Sequence, residues 1–411
     1  MKKKVGIIGG GAAGMFAAIT AARQGAEVTV LEGGDRVGKK ILSTGNGKCN
    51  LGNLYLNREC YYSNDLSFVE RAIERFDVMD TLSFFRGIGL LMKDKNGYLY
   101  PSCEQAAVVL DVLRYEMKAL QIKLNENRKV TALHKKKDKW MVETESECFT
   151  FDSIVIACGG KAAPKTGSDG SGFKLAKKLG HKVTRVVPAL VQLTCKEDYL
   201  KSVAGVRADA EISVISDGEC VAKERGELQL TDYGVSGIPV FQISRIVNYL
   251  LEDKKTVKLS INLLPDYSEE EFAQLCQIRS LLQEGRTTEE FLTGLLHKKL
   301  ILLFMKQAGL KGDLPVSQAE EAKLKNLYKM CQNWVLHVTG SKSFDNAQVS
   351  AGGVELSQVT DNMESCLAKD LYFAGEILDV DGKCGGYNLQ WAWSSGYLAG
   401  MAAAGTPVVK E

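Results

Sequence analysis

The chain has 411 residues, 45% of them hydrophobic and 25% charged, with a formal net charge of +2. That length exceeds one compact core and suits two or three domains, and the near-neutral balance gives no electrostatic reason to expect nucleic acid or an anionic membrane as a partner. Eleven cysteines without a CxxC pair fit reduced thiols better than a disulfide framework or a zinc site, and none of the four histidines has a ligand partner at metal spacing.

Residues 4–8 (KVGII) read as a short apolar strand running straight into glycines. A helix is expected from Gly14 to about Gln24, stopped by Gly25, and Glu27–Leu31 alternates like a buried strand that ends on Glu32. Together these make one complete β-α-β unit. The apolar run after the basic start breaks at Gly9-Gly10-Gly11, too early for a signal peptide. No segment approaches the ~20 apolar residues of a membrane span, so a cytoplasmic protein is expected.

Arg36–Asn50 is a glycine- and lysine-rich loop. Helices are expected near 67–76 and 78–87, a hairpin at Lys95-Asn96-Gly97, a helix over about 104–120, and strands at 128–134, 140–145 and 154–157. From about 187 to 345 the texture changes. Short strands at 191–195, 210–215, 227–231 and 256–263 suggest a small antiparallel sheet or barrel, with helices at 268–284, 288–308 and 317–333. The acidic run Glu269-Glu270-Glu271 reads as a solvated helix start. After 345 the nucleotide-domain texture returns, with a strand at 371–374 and an apolar helix from about 388 to 404. The expected organisation is an α/β nucleotide domain in two pieces, 1–187 and 346–411. Between them lies an inserted antiparallel β domain at 188–345 with a helical subdomain at about 266–333.

Gly9-x-Gly11-x-x-Gly14 falls between the first strand and helix. Gly9 permits the tight turn, Gly11 lets a pyrophosphate reach the backbone, and Gly14 lets the helix pack on the strand. Glu32, about 18 residues past Gly14, can accept hydrogen bonds from ribose hydroxyls. The motif serves FAD and NAD alike, and two further segments favour FAD. Residues 154–160 run a strand into Gly159-Gly160, and Leu371–Glu376 ends a strand in a carboxylate placed for a ribityl chain. No second GxGxxG unit occurs between 145 and 345; Gly234-Val235-Ser236-Gly237 lacks the third glycine and precedes Ile238-Pro239. A dedicated nicotinamide domain is therefore not expected, which leaves NADH or NADPH as a transient donor, or oxygen as acceptor. The substrate pocket is expected at a domain junction.

The chain resembles the BaiN-like family of bacterial three-domain flavoproteins along essentially its whole length. The likeness rests on residues 6–18, 38–50, 157–181 and 234–245, and above all on LYFAGEILDVDGKCGGYNLQWAWSSGYLAG at 371–400. The resemblance implies bound FAD and a discontinuous, glutathione-reductase-type Rossmann-like domain with an inserted β-barrel-like domain. It implies cofactor contacts from Ala13, Gly14, Glu32, Lys39, Lys40, Val130 (through its backbone, at the adenine), Gly375, Glu376, Asn388 and Leu389. Asn388 and Leu389 would open the last helix with its positive end toward the flavin pyrimidine. Activities assigned within the family include a 3-dehydro bile acid 4,6-reductase and an aminoacetone oxidase.

One departure is Lys48, where family members often carry arginine: it keeps the charge without the planar fork. Cys49 and Cys384 fall in loops that the resemblance places near the flavin, as redox groups or, more simply, as small packing residues. His181 reads as a helix-end cap, and Lys165 as either facing substrate or solvated. No residue declares itself a catalytic acid or base. The resulting expectation is an FAD-dependent oxidoreductase moving a hydride between flavin N5 and a small organic substrate. NAD(P)H-linked enone reduction and oxygen-linked amine oxidation both stay open. A flavin-bearing RNA-binding or sensor protein is disfavoured by the neutral charge and the lack of a basic, aromatic-rich patch.

Overall fold

In the computed structural model, which describes residues 2–406, the run KVGII forms strand β1 (Lys4–Ile8), buried in all but its first residue. Helix α1 (Ala12–Arg23) follows, then β2 (Glu27–Leu31), β3 (Lys123–Asn125), β4 (Ser153–Ile156) and β5 (Leu371–Phe373). The five strands make one parallel sheet in the order β5-β4-β1-β2-β3. Parallel strands covered on both faces read as unbroken apolar runs, which is the pattern of β1 and β4. A second, antiparallel sheet of Val130–Lys136, Lys139–Thr144 and Cys148–Phe151 lies next to β1, where Gly6 leaves room for the Phe151 ring.

Helix α1 is apolar on every side, with Ala13 to Ala21 buried without a break. One side is covered by helix α2 (Tyr387–Ala404), equally apolar, and the two backbones nearly touch. A Cβ at Gly396 would lie 2.7 Å from Ala13 O, and one at Gly400 2.5 Å from Ala17 O. Phe16, Phe76, Phe84, Phe85 and Trp393 pack as an aromatic cluster around this crossing.

The chain divides into two compact units, one running to Pro188 and resuming at Phe344, the other being Ala189–Ser343. In the second unit six antiparallel strands close a barrel. Their order is Leu193–Cys195, Gly234–Gly237, Glu219–Leu230, Arg207–Ser216, Val257–Asn262 and Trp334–Ser341. Along Arg207–Ser216 every second residue (Ala210, Ile212, Val214) is buried, the alternation of a one-sided strand. The helix Ile238–Glu252 buries Val240, Ile243 and Val247 in the same core. Its Pro239 sits in the first turn, where proline removes a donor that has no partner anyway, so the Ile238-Pro239 pair opens a helix.

The expected helix at 288–308 is two helices, Thr288–Leu292 and Lys298–Ala308. Gly294 at φ +87° turns the chain between them, and His297 caps the second by accepting the Lys299 N–H at 3.2 Å. Ser268 and Glu271 form a capping box at the start of Glu269–Leu282, so the acidic run does lie in a helical first turn. Among the described residues no helix is long and apolar enough to cross a membrane, and no His, Cys, Asp and Glu group is placed to hold a metal ion.

Candidate functional site

The turn between β1 and α1 is shaped by close backbone approach. Gly9 holds φ +104° and donates its N–H to Leu31 O at 2.9 Å, while a Cβ at Gly14 would lie 1.9 Å from Gly9 O. Gly11 is different. Its φ of −76° suits any residue, and nothing lies within 4 Å of where its Cβ would be. No protein neighbour explains a glycine there. The open space adjoins the start of α1, which has no side-chain cap and no acidic residue in its first turn. Free N–H groups and the positive end of the helix dipole make such a cradle fit a pyrophosphate.

Glu32 closes one side. Its Oε2 accepts the Gly10 N–H at 2.8 Å and its Oε1 the Gly34 N–H at 2.7 Å, which leaves further lone pairs on both oxygens. The Arg128 N–H donates to Glu32 O at 2.8 Å and so brings the buried Val130 to the same end of β2. Gly167 also approaches: a Cβ on it would be 3.6 Å from Glu32 Oε1. Next to it the buried Ser168 hydroxyl has no hydrogen-bond partner and lies against Gly159, which is at φ +71° after β4. Lys39 pairs with Asp35 at the rim.

The other end is built from segments far apart in sequence. Gly375 follows β5 at φ +79° and packs on Ala13, 2.8 Å from its Cβ by the same measure. Glu376 Oε2 accepts the Lys40 ammonium at 2.7 Å, and its Oε1 accepts the Ser350 N–H at 2.8 Å and hydroxyl at 3.1 Å. Ser350 Oγ in turn accepts the N–H groups of Lys161, at 2.6 Å, and Ala162, at 3.1 Å. Four chain segments are thus tied through one carboxylate. Nothing local in the sequence marks Lys161, and the sole signal at Ser350 is the Gly352-Gly353 pair just after its short strand.

Helix α2 begins at Gly386 (φ +95°), again with no side-chain cap and no acidic first turn. Trp391 Nε1 donates to Gly375 O at 3.1 Å and Trp393 Nε1 to Leu51 O at 2.9 Å, which fixes that end. The Asn388 side chain is committed to its own loop, accepting from Gly382 N–H at 2.8 Å and donating to Gly382 O at 2.7 Å. Asn388 and Leu389 therefore offer a ligand their backbone N–H groups.

The remaining candidates are held by other partners, by burial or by exposure to solvent. Lys48 pairs with Glu104 at 2.7 Å, and Lys93 and Lys95 hold the same carboxylate, keeping its carboxyl well below the usual range. His181 is buried, with Nε2 2.7 Å from Ser365 Oγ and Nδ1 3.3 Å from Ala176 O; burial lowers its pKa, and its N–H caps the preceding helix end at Ala176 O. Lys165 is exposed. Burial pushes the Cys49 thiol up to about 12 and raises that of Cys384, so neither is a thiolate near neutral pH. A thiol reagent at about pH 8 is expected to label the exposed Cys103, Cys148, Cys220 and Cys366 and to spare Cys49 until the chain unfolds. Peptide mapping of the labelled protein checks this, and rapid native labelling of Cys49 would contradict it.

Comparison with known proteins agrees with this architecture. The 3-ketosteroid-Δ4-(5α)-dehydrogenase structure from Rhodococcus jostii aligns with a TM-score of 0.50 at 15% identity, covering 98% of this chain and 97% of that one, a likeness of fold. In sequence the chain is 42% identical over 407 residues to the 3-dehydro-bile acid Δ(4,6)-reductase of Clostridium scindens, covering 98% of this chain and 100% of that protein. It is 31% identical over 405 residues to the ribosomal RNA dihydrouridine synthase of Haemophilus influenzae, covering 96% and 97%. Fold and relatives together define an FAD-dependent oxidoreductase. The family described as HI0933-like protein Rossmann domain matches residues 3–402, and the chain belongs to it, within the BaiN-like group that its motifs resemble.

Proposed function

We propose that this chain reduces a carbon–carbon double bond conjugated to a carbonyl in a small organic substrate, with NADH or NADPH as the diffusible donor. The observation that carries this reading is the 42% identity, end to end, with a reductase of 3-dehydro bile acids. The name of the more distant relative supports the reaction class, since dihydrouridine is uridine with two hydrogens added across a double bond conjugated to a carbonyl.

In this reading the turn Gly9, Gly11, Ala13 and Gly14 holds the FAD pyrophosphate, Glu32 takes the ribose hydroxyls, and Val130 meets the adenine. Gly159, Lys39 and Lys40 line the same path, and Gly375 with Glu376 lies along the ribityl chain. The first-turn N–H groups of α2, including those of Asn388 and Leu389, hold the pyrimidine end and favour negative charge there. Bound FAD would supply two-electron transfer at N5, which no side chain can perform. Lys40 and Ser350 fix the Glu376 carboxylate from two sides. The unit Ala189–Ser343 is a closed barrel with helices and holds no second β-α-β unit, which favours a donor that binds in passing.

Anaerobic mixing of the purified yellow protein with NADPH or NADH is expected to bleach the flavin, and a 3-oxo-Δ4,6 bile acid to restore its colour. No bleaching by either donor would overturn the reductase reading. Consumption of aminoacetone with oxygen as acceptor, and none of the dienone, would assign the oxidase instead.

A further inference from the structure

We propose that Asn50 reads the imide edge of the flavin pyrimidine, its side-chain oxygen accepting the N3–H beside the N–H donors of α2. The inference rests on the FAD reading above and adds a residue to it. Asn50 is 8% exposed, and its Oδ1 is buried with no hydrogen-bond partner. That oxygen lies against the residue that opens α2: a Cβ on Gly386 would sit 2.7 Å from it. Helix α2 has 18 residues and an uncapped N-terminus, so a row of backbone donors stands next to a lone buried acceptor.

An orphaned buried acceptor is costly and is retained where a partner arrives from outside the chain. Donors beside an acceptor complement a group that presents an acceptor beside a donor. The flavin pyrimidine presents that pair as a carbonyl oxygen, O2 or O4, next to N3–H. The position of Asn50 is also held from both sides. Cys49 before it is buried at φ +58°, a left-handed conformation for a non-glycine residue, and its N–H donates to Thr44 O at 3.0 Å. Leu51 after it donates to Leu99 O at 2.8 Å and accepts from Trp393 Nε1 at 2.9 Å. A left-handed residue buried directly beside an unsatisfied acceptor supports a role for this backbone beyond packing.

The test is equilibrium binding to the full chain stripped of flavin, read by flavin fluorescence, with FAD and N3-methyl-FAD as probes. Circular dichroism establishes that each variant is folded. The unaltered chain is expected to prefer FAD by about tenfold or more. Asn50→Ala should weaken FAD by about tenfold and erase the preference, while Asn50→Asp, which keeps an acceptor, should retain it. An unaltered chain with no preference, or an Asn50→Ala chain that keeps it, overturns the proposal. If Asn50→Ala does not fold, loss of the preference in Asn50→Asp does so equally. A chain that binds neither probe removes the FAD reading itself, an outcome distinct from loss of discrimination alone.

Discussion

An alanine at Gly11 is expected to leave the chain folded while lowering its FAD affinity by about a hundredfold or more, whereas an alanine at Gly14 should disrupt the fold itself. The added methyl at Gly11 meets nothing within 4 Å and needs no change of φ. Its cost to the chain alone is the poorer helix cap of alanine, offset by a less flexible unfolded state, within about 1 kcal/mol. The same methyl stands in the cradle at the start of α1. Losing even two charge-assisted hydrogen bonds there removes about 3–6 kcal/mol of binding, which is the hundredfold or more. At Gly14 the new Cβ would be 1.9 Å from Gly9 O, an overlap that only a backbone shift of the turn relieves. Overpacking of that kind costs about 2–4 kcal/mol, with or without cofactor. Melting of the stripped chain and FAD titration separate the two: Gly11→Ala should melt like the unaltered protein and bind poorly. Tight FAD binding by Gly11→Ala would mean that the pyrophosphate does not sit in this cradle.

The contrast between these glycines also marks what the sequence could show. The β-α-β unit is legible because its parts are local: an apolar run, three glycines at fixed spacing and a carboxylate at the end of the next strand all fall within 32 residues. The Lys40–Glu376 pair spans 336 positions and Ser350–Glu376 spans 26, and no local periodicity reports such a meeting. Asn50 reads as one polar residue in a polar loop; its burial is created by segments that arrive from the far end of the chain. In the barrel, Arg207–Ser216 alternates and announces itself. Its partner Glu219–Leu230 buries only Leu228 and Leu230, so most of that strand is specified by its ladder to a neighbour rather than by its own hydropathy. Strand β3 is three residues long and rests wholly on its pairing with β2. Local chemistry therefore marked the glycine turn between β1 and α1, while the carboxylate network and half the barrel depend on tertiary contacts.

That carboxylate network carries the second large effect. Glu376→Ala is expected to destabilise the chain by about 2–4 kcal/mol, because it strands three donors at once. The Lys40 ammonium, with a quarter of its side chain exposed, loses its partner, and the Ser350 N–H and hydroxyl lose their acceptor. Ser350 also orients Lys161 and Ala162, so the loss should spread to the loop after β4. Lys40→Met removes only the ion pair and leaves the Ser350 hydrogen bonds in place, so about 1 kcal/mol is expected. Glu376→Gln should fall between them, since an amide oxygen can still face Ser350 while its N–H₂ cannot accept from Lys40. Urea unfolding of the stripped chain ranks the three. Repeating it with saturating FAD asks whether Glu376 serves the fold or the ligand. A ligand that binds only the native state adds stability in proportion to the logarithm of its concentration over its Kd. A carboxylate that also binds the ribityl chain should therefore shrink the stabilisation FAD provides. Were Glu376→Ala to lose stability yet keep the full FAD increment, the carboxylate would be a brace between four segments and nothing more.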